Sequence, residues 1–164
     1  MNFLIKMVIF SCLLFLQVTQ VTAQDLTAER IRRISGRKRA IFLHQGIFHN
    51  GDVKQDSSIM GIRRSYRKGT QQERLVFDFS SVKAPRIYGH INSKGKRINI
   101  DFFDTQIGNR VTQELRRGHF VDTINFYAVD KEVLSCELSF NTEVKVDIFY
   151  LESHGRLVVD IKKL

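Results

Sequence analysis

Arg74-Leu75-Val76-Phe77-Asp78-Phe79, Arg97-Ile98-Asn99-Ile100-Asp101-Phe102 and Arg156-Leu157-Val158-Val159-Asp160-Ile161 repeat one pattern at three points of the chain. Each opens on Arg, carries apolar residues at alternate positions and places Asp four residues after the Arg. A period of two is what a strand with one buried face requires, because successive side chains point to opposite sides of the pleat. Leu75, Phe77 and Phe79 therefore point one way, and Arg74, Val76 and Asp78 the other. Three such strands imply a β domain assembled from related hairpins, each supplying one wall of a common interior.

Working outward from these strands, hairpins follow one another from Ile59 onward. Ile59 to Arg67 reads as a strand and Lys68 to Gln72 as a polar turn containing Gly69, leading into Glu73 to Phe79. Arg86 to Asn92 turns through Ser93-Lys94-Gly95-Lys96 into the second copy. Thr105 to Gly118 reads as a connection with a helical turn around Gln113 to Arg117. His119 to Val129 and Val133 to Phe140 make a further hairpin, and Glu143 to Leu151 turns through Ser153-His154-Gly155 into the third copy. About eight short antiparallel strands with alternating patterning suit an all-β, two-sheet β-sandwich.

The front of the chain differs. Lys6 precedes a ten-residue apolar run, Met7 to Leu16, and Val21-Thr22-Ala23 places small residues at cleavage positions, the layout of a secretory signal peptide over residues 1–23. The run is short against the roughly 20 apolar residues that span a bilayer. Export to the periplasm or cell envelope is the expectation, with the mature chain beginning near Gln24. Residues 24–58 read as a basic, partly ordered lead-in, crowded with Arg30, Arg32, Arg33, Arg37, Lys38 and Arg39. Because the hairpin series starts at Ile59, the sandwich is expected over residues 59–164 and the lead-in is expected to be dispensable to it.

The chain carries 26 Lys and Arg against 17 Asp and Glu. From Asp25 to Glu73 there are 11 basic and 5 acidic residues, and from Arg74 to Leu164 there are 14 and 12. An exported basic protein meets acidic wall polymers, lipid headgroups or acidic proteins before nucleic acid. Beyond the expected signal the only cysteine is Cys136, whose neighbours Leu134, Leu138 and Phe140 share its strand face, as befits a small core hydrophobe. Nucleophile elbow, phosphate loop and zinc-helix motifs are absent from the sequence, so no enzyme chemistry and no cofactor are implied. His44, His49 and Asp52 form the one local cluster of metal-ligand types, without a recognisable ligand spacing.

Taken together, Ile59-Met60-Gly61-Ile62-Arg63 with Tyr66, the strand Glu73 to Phe79, Arg97 to Phe102, Arg117-Gly118-His119-Phe120 and Arg156 to Ile161 resemble, in order and spacing, the signature elements of the AMIN domain. The resemblance covers about Ile59 to Lys163. Lys94-Gly95-Lys96 replaces the usual Asn-Pro-Pro turn, and His119 stands where Gln is usual. It implies a two-sheet sandwich in a bacterial envelope protein, acting as a non-catalytic module that targets cell-wall amidases or pilus secretins to peptidoglycan or the division site.

A binding role draws on the outward pairs of the repeated strands. Arg donates bidentate bonds to carboxylates such as those of peptidoglycan stem peptides, and Asp accepts from sugar hydroxyls. The competing reading is cross-strand pairing that only stabilises the sheets. The candidate ligand-binding residues are Arg63, Arg67, Arg74, Asp78, Arg97, Asp101, Arg156 and Asp160. Alternation puts Arg63, Ser65 and Arg67 on one side of their strand and Arg64 with Tyr66 on the other. The expected partner is peptidoglycan or other anionic wall material, without nucleic acid or a membrane-spanning segment after cleavage. The alternative is a structural adaptor that contacts another envelope protein through a sheet edge or the basic lead-in.

Overall fold

The computed structural model describes residues 31–34, 36, 40–51, 54–109, 111, 117–151, 153 and 155–164. Eleven strands run through them: β1 (Ile31–Arg33), β2 (Gln45–His49), β3 (Ser57–Arg67), β4 (Gln72–Phe79), β5 (Ile87–Asn92), β6 (Arg97–Phe103), β7 (Thr105–Ile107), β8 (Val121–Ala128), β9 (Val133–Phe140), β10 (Val144–Leu151) and β11 (Arg156–Lys163). One sheet has six strands in the order β1-β2-β5-β6-β9-β8, the other five in the order β10-β11-β4-β3-β7. Their inner faces meet in one core, where Phe77 and Phe79 of the five-stranded sheet lie 5.7 Å from Phe102 of the six-stranded sheet, centroid to centroid. The protein is an all-β sandwich.

All eight strands read from the sequence are present, and three short ones join them. β1 runs parallel to β2, and β7 parallel to β3, so both sheets are mixed. The expected signal peptide, Arg30, Arg37, Lys38, Arg39, Asp52 and the expected helical turn around Gln113 to Arg117, Arg117 itself excepted, lie outside the described residues. No helix among the described residues is long and apolar enough to cross a membrane.

The core does not begin at Ile59. β2 pairs with β5 over five residues, and its Phe48 is fully buried. Ile34 and Leu43 are buried too, and Leu43 exchanges two backbone hydrogen bonds of 2.7 Å with Val146 at the edge of β10. Part of the lead-in is therefore integral to the sandwich. The Phe48 ring lies across β5 at Gly89, where an added Cβ would sit 2.1 Å from its Cζ. Glycine is required there by close approach, independent of backbone angle.

In β3 the alternation changes phase once. The register against β4 shifts between Ile59 and Gly61, so Ile59 and Ile62 face inward while Arg63, Ser65 and Arg67 face out. A bulge adds one residue to one strand and thereby re-aims every side chain beyond it.

Candidate functional site

Two of the three repeated strands, β4 and β11, are antiparallel neighbours, with Arg156 opposite Asp78 and Asp160 opposite Arg74. The equal Arg-to-Asp spacing makes this pairing reciprocal: when the strands run oppositely, each Arg meets the other copy's Asp. Arg74 donates from Nε and Nη2 to the two Asp160 oxygens at 2.6 and 2.8 Å, and Arg156 donates from Nε to Asp78 at 2.9 Å. From β3, Arg63 donates to Asp78 through Nε and Nη2 at 2.6 and 2.8 Å. Asp160 is fully buried, and its neighbour across the sheet is the equally buried Asp147, which lies 3.5 Å from Arg32. Facing carboxylates repel unless each has a cation, so Arg74 and Arg32 are what allow the pair to share this site.

The outer face here holds a groove of about 440 Å³, lined by Arg63, Arg74 and Arg156 around an apolar floor of Val76, Leu151 and Val158. Arg63 and Arg74 engage their carboxylates side-on through Nε and Nη2, and a planar guanidinium bound in that way turns Nη1 away from its partner. The hydrogen bonds and charges of Asp78 and Asp160 raise the pKa values of Arg63 and Arg74 respectively against the opposing effect of burial, so both stay charged.

Burial alone would raise the Asp78 carboxyl, but the hydrogen bonds and charges of Arg63 and then Arg156 outweigh it and hold it below the ordinary carboxylate value. A carboxylate depressed in the folded state contributes stability present above its unfolded pKa, about 3.9, and lost as pH falls through the lower folded value. The stability difference between the natural chain and Asp78→Asn is therefore expected to be level from about pH 7 to pH 5 and to shrink below about pH 4. Urea unfolding of both proteins across that range measures it. A difference unchanged at about pH 3 would mean that the carboxylate's charge contributes nothing.

The structure gathers Arg63, Arg74, Asp78, Arg156 and Asp160 and separates the other candidates from them. Arg97 and Asp101 lie on the six-stranded sheet, where Arg97 stands opposite Ser139 and is 3.6 Å from Glu137. Asp101 stands opposite Ser135 and Tyr88, so the second copy has no reciprocal partner. Arg67 faces outward but sits at the end of β3 opposite Gln72, away from the groove.

A second constellation, absent from the sequence reading, fixes the start of β8. Glu73 faces inward in phase with Leu75 and is fully buried. Its carboxylate accepts the backbone N–H groups of His119, Phe120 and Val121 at 3.3, 2.5 and 3.0 Å and lies 3.2 Å from Arg64 Nε. At Gly118 an added Cβ would stand 2.0 Å from Glu73 Oε1, which explains the glycine. His119 stacks on Tyr66 at 3.8 Å. Glu73 grips the backbone of this element, so the contact does not depend on the side chain of His119.

Cys136 is buried in the core, and burial, with Glu137 beside it, pushes its thiol well up, away from the reactive thiolate. Among the described residues no group of three or more His, Cys, Asp or Glu could hold a metal ion. No family model, no curated protein and no solved structure matches the chain.

Proposed function

We propose that the chain is an exported, non-catalytic AMIN-like module that binds peptidoglycan or other anionic cell-wall material through the outer face of the five-stranded sheet. The observation that carries this reading is the convergence of Arg63, Arg74 and Arg156 on one apolar-floored groove. Carboxylates of stem peptides would meet the guanidinium N–H groups that Asp78 and Asp160 do not occupy, and their methyl groups the valines beneath. Export rests on the charge and apolar order of residues 1–23, and the envelope setting on the resemblance in signature order. The adaptor reading draws on β8, an eight-residue strand at the rim of its sheet, since an exposed edge can accept a partner's strand.

Sedimentation with purified sacculi tests the proposal. Arg63→Gln/Arg156→Gln is expected to reduce retention by roughly tenfold, one charge-assisted contact's worth or more. Lys54→Gln/Lys131→Gln, an equal charge change at exposed positions outside the groove, is expected to reduce it far less. Equal losses would assign binding to net charge, and no binding by the natural chain would favour the adaptor.

A further inference from the structure

We infer that one end of the sandwich, where the β3–β4 and β5–β6 turns meet the close of β11, docks on an anionic membrane surface. The topology assembles this end from distant parts of the chain. Arg67 stands opposite Gln72, which stands opposite Lys162, and Lys163 closes the same sheet opposite Val144. The Ser93 hydroxyl of the β5–β6 turn donates to the Val144 carbonyl, tying the two sheets together here. Lys96 accepts the Phe140 N–H through its carbonyl, which holds its own turn beside the start of β10. Arg67, Lys68, Lys94, Lys96, Lys162 and Lys163 thus share one pole.

None of these six forms an ion pair among the described residues, and all but Lys162 are exposed. Lys162 lies 4.8 Å over the Phe42 ring. The opposite pole is of mixed sign: its cavity of about 490 Å³ is lined by Asp56, Asp104 and Glu132 with Lys131. At the first pole these six cations meet one exposed carboxylate, Glu143, whereas the exposed Lys54, Lys83 and Lys131 of the opposite pole stand among Asp56, Asp104, Asp130 and Glu132. A molecule with such a one-sided excess presents its positive end to an anionic surface. Lys68, Lys94 and Lys96 project from turns, with Arg67 and Lys163 at the strand ends beside them, whereas the grooves described lie on the outer face and at the other pole. Projecting tips suit a plane of headgroup phosphates, and a groove suits an extended polymer. Each Lys or Arg held near such a plane strengthens binding about fivefold, within a Debye length of roughly 10 Å at 0.1 M salt. This inference uses no residue of the Arg63 and Arg156 groove and does not depend on wall binding.

The test is co-sedimentation of the full chain with vesicles of phosphatidylglycerol and phosphatidylcholine, against phosphatidylcholine alone, at about 0.1 M salt. Binding to the anionic vesicles only is expected, weakened by on the order of a hundredfold in Lys68→Gln/Lys94→Gln/Lys96→Gln. Lys54→Gln/Lys83→Gln/Lys131→Gln, the same charge change at the opposite pole, is expected to cost less than about fivefold. All six lysines are exposed, so unchanged melting of both variants is the control for folding. Equal weakening in the two variants, or no binding to anionic vesicles, overturns the inference. So does equally tight binding to soluble polyphosphate at the same phosphate concentration, which would identify a polymer ligand.

Discussion

A chain shortened to begin at Ser57 is expected to lose its cooperative unfolding transition. The truncation removes β1 and β2 and takes the buried Ile34, Leu43 and Phe48 from the core. Emptying the Phe48 site alone, as in Phe48→Ala, is expected to cost about 3–5 kcal/mol. Whole-domain stabilities are about 5–15 kcal/mol, so losing all three side chains and the backbone pairs of β2 with β5 leaves little or nothing. The pairing edges of β5 and β10 would also be uncovered, and open edges invite association between chains. Urea and thermal melts followed by circular dichroism distinguish the outcomes. A truncated chain that melts cooperatively, within about 1 kcal/mol of the full one, would show that β1 and β2 merely rest on a complete sandwich.

That result would also separate what the sequence makes legible from what it hides. Alternation in Arg74 to Phe79 and Arg97 to Phe102 read correctly because these strands are long, interior to their sheets and buried on one face only, while Arg156 to Ile161, buried on both faces from Leu157 to Ile161, still showed its outer side through Arg156 and Asp160. Gln45 to His49 resisted the same reading: it is short, its inward positions are Gly46 and Phe48, and one buried Phe makes no visible period. β7 has three residues and no period at all. At the site, the outward direction of Arg63, Arg67 and Arg74 followed from local pattern. Which copies would be neighbours did not, because strand order is set by the whole topology, and the second copy went to the other sheet. The basic pole was hidden for the same reason. Composition placed the positive excess between Asp25 and Glu73, while the pole joins Arg67 and Lys68 of that stretch to residues nearly a hundred positions further on. Glu73 was within reach, since the period that turns Leu75, Phe77 and Phe79 inward turns Glu73 inward as well.

Glu73→Ala is expected to destabilise the fold by about 3–5 kcal/mol, the usual cost of removing one member of a buried charged pair. The loss has two parts that can be told apart. One is the pairing with Arg64 at 3.2 Å, and the other is the acceptance of three backbone N–H groups at the entry to β8. Were the ion pair the main contribution, Arg64→Met/Glu73→Met would recover most of the stability, because apolar side chains of similar volume often replace such pairs without loss. The N–H groups of Phe120 and Val121 would still be buried without an acceptor, at about 1–3 kcal/mol for each donor left unsatisfied. The double variant is therefore expected to remain destabilised by at least about 2 kcal/mol. Hydrogen exchange at the Phe120 and Val121 amides should quicken in both variants while the β6 and β9 amides keep their rank order. Full recovery in the double variant would make Glu73 a partner for Arg64 and nothing more. Persistent loss would identify it as the side chain that holds the start of β8, and with it the Tyr66 and His119 stack, against the five-stranded sheet.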